Sequence, residues 1–119
     1  MARESVNEEE SLVINVDHGE EQTLVRLQGR LGLDSSPDLR DQLLDILHRQ
    51  APKTIVVDLT EVSFIDAAGI ATLLEALKIA RGRRGTLCLQ GLHGRMVRLF
   101  EVTGLQAVFD SGCKAGHAS

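Results

Sequence analysis

The chain reads as an α/β domain: a mixed, mostly parallel β-sheet flanked by helices, in the order β-β-α-β-α-β-α-β. Three observations lead there. Short β-branched runs alternate with stretches of helical periodicity, which implies crossovers and parallel strands at the centre. Two strand-like runs open the chain with a turn-rich segment between them, which adds an antiparallel edge. The length of 119 residues fits one domain that can bury a core without staples.

The elements follow in order. Residues 1–10 are acidic and polar and are expected to be disordered. Ser11 to Val16 (SLVINV) and Thr23 to Gly29 (TLVRLQG) read as the hairpin strands, with the turn-rich DHGEEQ between them. Ser35 or Ser36 with Pro37 and Asp38 reads as a helix start: hydroxyl N-cap, proline in the first turn, then an acid. Leu39, Leu43, Leu44, Ile46 and Leu47 supply its apolar stripe.

Thr54 to Leu59 (TIVVDL) is nearly all apolar, as a central strand covered on both faces is. A helix is expected from Ala67 to about Arg81, with Gly82 as its stop. Thr86 to Gln90 (TLCLQ) reads as a strand, Gly94 to Gly104 as a short helix, and Leu105 to Phe109 (LQAVF) as a final short strand. The domain therefore spans residues 11–110, and the small polar residues 111–119 read as a flexible tail.

Composition excludes several functions. Trp and Tyr are absent and Phe numbers three, which argues against an aromatic platform for bases. The net charge of −4 gives no encouragement to a nucleic-acid-binding reading. Arg81, Arg83 and Arg84 form the one basic cluster, at a helix C-terminus whose dipole favours cations. No run approaches the roughly 18 apolar residues of a membrane span, and the N-terminus lacks a signal-peptide core. Two cysteines are too few for a disulfide framework. Cys88 reads as a buried small hydrophobe and Cys113 as a free thiol in the tail. A reduced, cytoplasmic protein follows.

Catalytic and metal motifs are absent: there is no phosphate loop, no CxxC and no HExxH. His18, His48, His93 and His117 are scattered, and each reads as solvated or capping. Asp58 ends an apolar strand near the sheet's C-terminal edge, and reads as capping the following turn. No cofactor, metal or catalytic residue is expected.

The stretch FIDAAG carries the functional signal. Asp66 is placed to N-cap the next helix. Gly69, just inside that helix, costs about 1 kcal/mol relative to Ala, which suggests close backbone approach. Helical spacing puts Ile70, Leu73, Leu74, Leu77 and Ala80 on a sheet-facing side. Ala68, Ala71, Thr72, Glu75, Lys78 and Ile79 fall on the other, which begins as a smooth patch of small residues open to a partner.

These blocks resemble the STAS domain of bacterial anti-sigma factor antagonists. The resemblance rests on Asp58-Leu59 ending a strand, Asp66-Ala67-Ala68-Gly69 opening a helix, and Leu99-Phe100-Glu101-Val102-Thr103-Gly104-Leu105 further on. The segment LQGRLGLDSSPDLRDQL resembles the family's Gly-x-Leu-Asp loop. The match covers about residues 11–110.

The resemblance implies the STAS fold and a non-catalytic role. The implied partner is an anti-sigma factor that is also a serine kinase of GHKL-type ATPase fold. That kinase phosphorylates the Ser after the motif Asp, which breaks binding, and a phosphatase restores it. The partner-binding set carried over is Asp66, Ala67, Ala68, Gly69, Ala71 and Thr72, with Ser35 and Ser36 in the adjoining loop.

Two positions depart from the family pattern. Ala67 occupies the phosphoacceptor position and has no hydroxyl, and Gly32 stands for the acid of Gly-x-Leu-Asp. Ser63 and Thr72 are the substitute phosphosites to test. A monomer or weak dimer is expected, with no membrane insertion. The alternative reading is an accessory subunit of an ABC permease–ATPase complex for lipid transport, or a STAS scaffold in a stress-sensing assembly. Nucleotide sensing ranks below both.

Overall fold

The computed structural model describes residues 11–110 and Cys113. The segments expected to be disordered or flexible, residues 1–10 and 111–119, lie outside the described residues apart from Cys113. Among those residues the order is β1 (Leu12–His18), β2 (Gln22–Leu31), α1 (Ser36–Arg49), β3 (Thr54–Ile65), α2 (Ala67–Gly82), β4 (Thr86–Gln90), α3 (Arg95–Val102) and α4 (Leu105–Asp110).

The sheet order is β1-β2-β3-β4. β1 runs antiparallel to β2, while β2–β3 and β3–β4 are parallel. Each parallel step moves one place in the same direction. Right-handed crossovers then put α1 and α2 on the same face. The core forms there: Val25, Leu27, Ile55, Val57, Leu59 and Leu87 from the strands meet Leu39, Leu43 and Leu47 of α1 and Leu73, Leu77 and Ala80 of α2. Each fully buried aliphatic side chain stabilises by roughly 1.5–3 kcal/mol.

This one-sided packing corrects the expectation for TIVVDL. Ile55, Val57 and Leu59 are buried, but Val56 and Asp58, on the opposite face, are only half-buried. The strand also continues to Ile65 instead of ending at Leu59. Its second half is held by the ladder to β2, with Gly29 opposite Val62 and Leu31 opposite Ile65. Gly29 has φ +113°, and a Cβ there would lie 2.3 Å from the Ser11 carbonyl oxygen, so the β1–β2 approach requires glycine.

The last element is a helix, not the expected strand. Gly104, at φ +77°, ends α3, and the chain restarts helically at Leu105. Five residues cannot separate the two periodicities. Helical spacing wins here because Phe109, one turn beyond Leu105, is 2% exposed, and its ring lies 5.9 Å from that of Phe100. α4 contacts β4 and receives a 2.9 Å bond from the Arg81 guanidinium at its Val108 carbonyl.

Three local expectations also change. Ser35 occupies the N-cap position of α1 without a capping bond from its side chain. Gly82 is the final residue of α2 rather than the stop beyond it, and Arg83 caps the helix through its backbone amide. Cys88 and Cys113 are not an isolated hydrophobe and a free thiol, and the expected fully reduced state does not hold: they form a disulfide across 25 residues. A cysteine count argues against a framework of bridges but carries no information about a single long-range one.

Candidate functional site

β3 ends where Asp66 turns the chain into α2. Asp66 is extended, at φ −123° and ψ −172°, as an N-cap requires. Its Oδ1 accepts from the amides of Ala68 at 2.9 Å and Gly69 at 3.2 Å. Its Oδ2 reaches across to the β2–α1 loop and accepts from the Leu33 amide at 3.2 Å. One carboxylate thus caps α2 and pins the neighbouring loop. Asp66→Ala is expected to cost about 1–2 kcal/mol through the lost cap alone. A urea midpoint that fails to move would contradict this role.

Gly69 is a close-approach glycine. A Cβ there would lie 2.7 Å from Leu31 Cγ and 2.9 Å from the Leu31 carbonyl oxygen. The first turn of α2 therefore sits directly against the end of β2.

The facing loop is ordered by Ser35. Its hydroxyl donates to the Arg30 carbonyl at 2.8 Å and accepts from the Gly32 amide at 3.0 Å. The Gly32 carbonyl accepts from the amides of Ser35 and Ser36. A Cβ on Gly32 would lie 2.8 Å from Asp66 Oδ2. An acid at position 32 therefore has no room while Asp66 keeps its bond to Leu33, and its charge would oppose that of Asp66. Gly32 and the Asp66–Leu33 bond belong together.

The resulting surface is smooth and partly apolar. Ala67 and Ala71 are exposed, and Ala68 is half-buried. Leu33 is 74% exposed and Phe64 37%. The Arg30 guanidinium carbon stands 4.1 Å from the Phe64 ring centroid, a cation–π pair at the rim. A concavity of about 300 Å³ lies among Arg30, Gly32, Leu33, Ser35, Phe64 and Asp66. Further along, the Arg40 fork grips Glu75 with bonds of 2.9 and 2.8 Å, tying α1 to α2 and holding the Glu75 carboxyl below its ordinary range.

The sequence-derived site is only partly exposed. Asp66, Ala67, Ala68, Gly69 and Ala71 are contiguous, and Ser35 stands behind the facing loop. Ser35, Ser36 and Thr72 are buried, at 9%, 7% and 7% exposure, so they support the surface from below. Thr72 belongs to the inner side of α2 and not to its outer face, while Leu74, expected inside, is half-buried. Ser63 is exposed, and its hydroxyl donates to the Gly29 carbonyl at 3.3 Å.

Arg30, Leu33 and Phe64, which line the concavity beside Asp66, were not legible from the sequence as its neighbours. Strand alternation would turn Phe64 to the same side as Val62, but β3 bulges at Ser63. Gly29 pairs with Val62 and Arg30 with Phe64, skipping Ser63. The extra residue re-aims Phe64 outward.

Asp58 lies apart from this surface. It does not cap the turn expected after the strand: it lies within β3, where its Oδ1 accepts from the Thr60 amide at 2.9 Å and the Thr60 hydroxyl at 2.6 Å at a register shift of the β2–β3 ladder. Burial pushes its carboxyl up, but bonds from Thr60 and Gln90 and the charge of Arg26 outweigh that and hold it below the usual value. Among the described residues, no three His, Cys, Asp or Glu side chains are grouped to hold a metal ion, and no helix is long and apolar enough to cross a membrane.

A family model described as "Mlab, STAS domain" matches residues 14–110. The chain belongs to the STAS domain family. Among curated STAS relatives, an anti-sigma-B factor antagonist of Bacillus subtilis is 32% identical over 104 residues, covering 86% of this chain and 94% of the relative. An anti-sigma-B factor antagonist of Listeria monocytogenes is 33% identical over 82 residues, covering 69% and 71%.

Solved structures agree on the STAS fold. An anti-sigma-factor antagonist domain from Planctomyces limnophilus matches with a TM-score of 0.71 at 21% identity, over 81% of this chain and 86% of that one. The phosphorylated form of the Bacillus cell fate determinant SpoIIAA matches with a TM-score of 0.68 at 19% identity, over 82% and 87%. Among the described residues this STAS fold has a four-stranded mixed sheet and ends in two helices, where the sequence predicts a helix and a strand.

Proposed function

We propose that this protein is a non-catalytic, cytoplasmic regulator of transcription that binds an anti-sigma factor, a serine kinase of GHKL-type ATPase fold, and so releases a sigma factor. The observation that carries this reading is the Asp66 cap. It fixes the start of α2, where Ala67 and Ala71 are exposed, and its carboxylate also holds the loop that carries exposed Leu33, a small-residue surface a partner can approach closely. The relatives named anti-sigma-B factor antagonist support the class of partner.

Position 67 sets the regulation. In this reading it is the phosphoacceptor position, and alanine offers no oxygen to a kinase. The protein then stays in its binding-competent state at this site. A phosphoryl group there would bring about −1.5 to −2 charges into a close interface. The buried Thr72 hydroxyl offers no ready substitute, and the exposed Ser63 is the one to examine.

Incubating Ala67→Ser with the anti-sigma kinases of the same genome and ATP tests the reading. Residue 67 of the variant should gain one phosphate, while the wild-type chain gains none there. A variant that binds such a kinase yet stays unmodified would show that α2 is not presented to the kinase's active site.

A further inference from the structure

The Cys88–Cys113 bridge joins the edge strand β4 to the chain just beyond α4. It encloses the end of β4 together with α3 and α4. The other anchors of α4 among the described residues include the buried Phe109 ring on Phe100, half-buried Leu105 against the core, and the Arg81 bond to the Val108 carbonyl. Ala107 and Val108 are exposed, and a six-residue helix has no stability of its own. The bridge is therefore a principal fastening of this end of the domain.

The fastened module borders the docking surface. A cavity of about 600 Å³ lies between Ser63, Phe64 and Ile65 on one side and His93, Met96 and Leu99 on the other. His93 Nε2 donates to the Val62 carbonyl at 3.0 Å and links the start of α3 to β3. Phe64 also lines the concavity beside Asp66. A change in the order of α3 and α4 thus reaches the Phe64 side of that surface. Cys88 and Cys113 are both half-buried, and β4 is a sheet edge, so the bridge is within reach of an attacking thiol.

We infer that Cys88–Cys113 is a reversible thiol–disulfide site, whose reduction by a dithiol releases α4 and loosens the α3 wall of the docking surface. The regulatory meaning of this site rests on the docking function proposed above. The exchange balances. A dithiol thiolate attacks one bridge sulfur and forms a mixed disulfide, and the other sulfur leaves as a thiolate and is protonated. The second thiol of the reagent resolves the mixed disulfide. The dithiol is oxidised to its disulfide, and two electrons and two protons pass to Cys88 and Cys113. Covalent control would thus exist in a chain whose position 67 has no hydroxyl.

Hydrogen–deuterium exchange on the full chain, oxidised and then reduced with dithiothreitol under native conditions, tests this. Alkylation and mass measurement report the bridge. Exchange over residues 105–110 should rise about tenfold or more on reduction, with a smaller rise over 63–66 and 95–102 and none in the centre of β2. The melting temperature should fall by on the order of 10 °C, as expected for opening a loop of this length. Cys113→Ser should match the reduced form and stop responding to dithiothreitol. Unchanged exchange over 105–110, or a bridge that dithiothreitol cannot open in the folded protein, overturns the inference.

Binding to an anti-sigma kinase separates the two claims. The reduced form should bind at least about fivefold more weakly than the oxidised form. Equal binding by both overturns the regulatory role. A kinase that binds neither form counts against the docking function instead, and the exchange data then decide the thiol–disulfide site alone.

Discussion

Ala67→Glu is expected to abolish partner binding while leaving the fold intact. Ala67 is exposed and opens α2, so no core contact is lost. A carboxylate at the first helical position also suits the positive end of the helix dipole, and the melting temperature should hold or rise slightly. In the complex the same carboxylate would be an unpaired charge buried against a closely approaching surface. Such a charge weakens binding at least about a hundredfold. Calorimetry against the proposed kinase partner, beside a thermal melt, reads both halves of the expectation. Wild-type affinity in the variant would move the interface away from the start of α2.

Phe100→Ala carries the largest expected effect on stability, about 3–5 kcal/mol. Phe100 is 0% exposed and is the partner of the Phe109 ring, so its removal leaves a cavity and frees the main side-chain anchor of α4. For a domain of this size a loss of about 3 kcal/mol lowers the melting temperature by more than about 10 °C. Val102→Ala, two residues away but 72% exposed, should stay within about 0.5 kcal/mol of wild type. A Phe100→Ala variant as mild as Val102→Ala would mean that α3 and α4 contribute little to the core.

The central architecture was legible because its signals are local. The apolar stripe of Leu39, Leu43 and Leu47 and the cap at Asp66 need only near neighbours to be read. The close approach at Gly69 could be suspected from the cost of glycine in a helix. What escaped depends on partners distant in sequence. Thr60, Glu61 and Ser63 interrupt the apolar pattern of β3, and only the ladder to β2 keeps that segment extended. Phe64 faces outward because of a bulge that no alternation rule anticipates. Leu105 to Phe109 became helix because Phe109 finds Phe100, and Cys88 finds Cys113 across 25 residues.

The site shows the same division. Asp66 to Gly69 form one run at the α2 start, with Ala71 two residues on, and the motif alone singles them out. Ser36 and Thr72 carry the same polar character in sequence, yet both side chains point into the interior. Gly32, a departure from the family pattern, gains a physical reason only from the geometry: Asp66 occupies the space a side chain would need.

The measurement that bears most directly on the proposed docking function is calorimetry of the wild-type oxidised protein with the GHKL-type anti-sigma kinase proposed as its partner, before and after prolonged incubation with ATP. A one-to-one complex should form, survive the incubation, and carry no phosphate on residue 67. A protein that binds no such kinase, with or without nucleotide, would contradict the docking function outright.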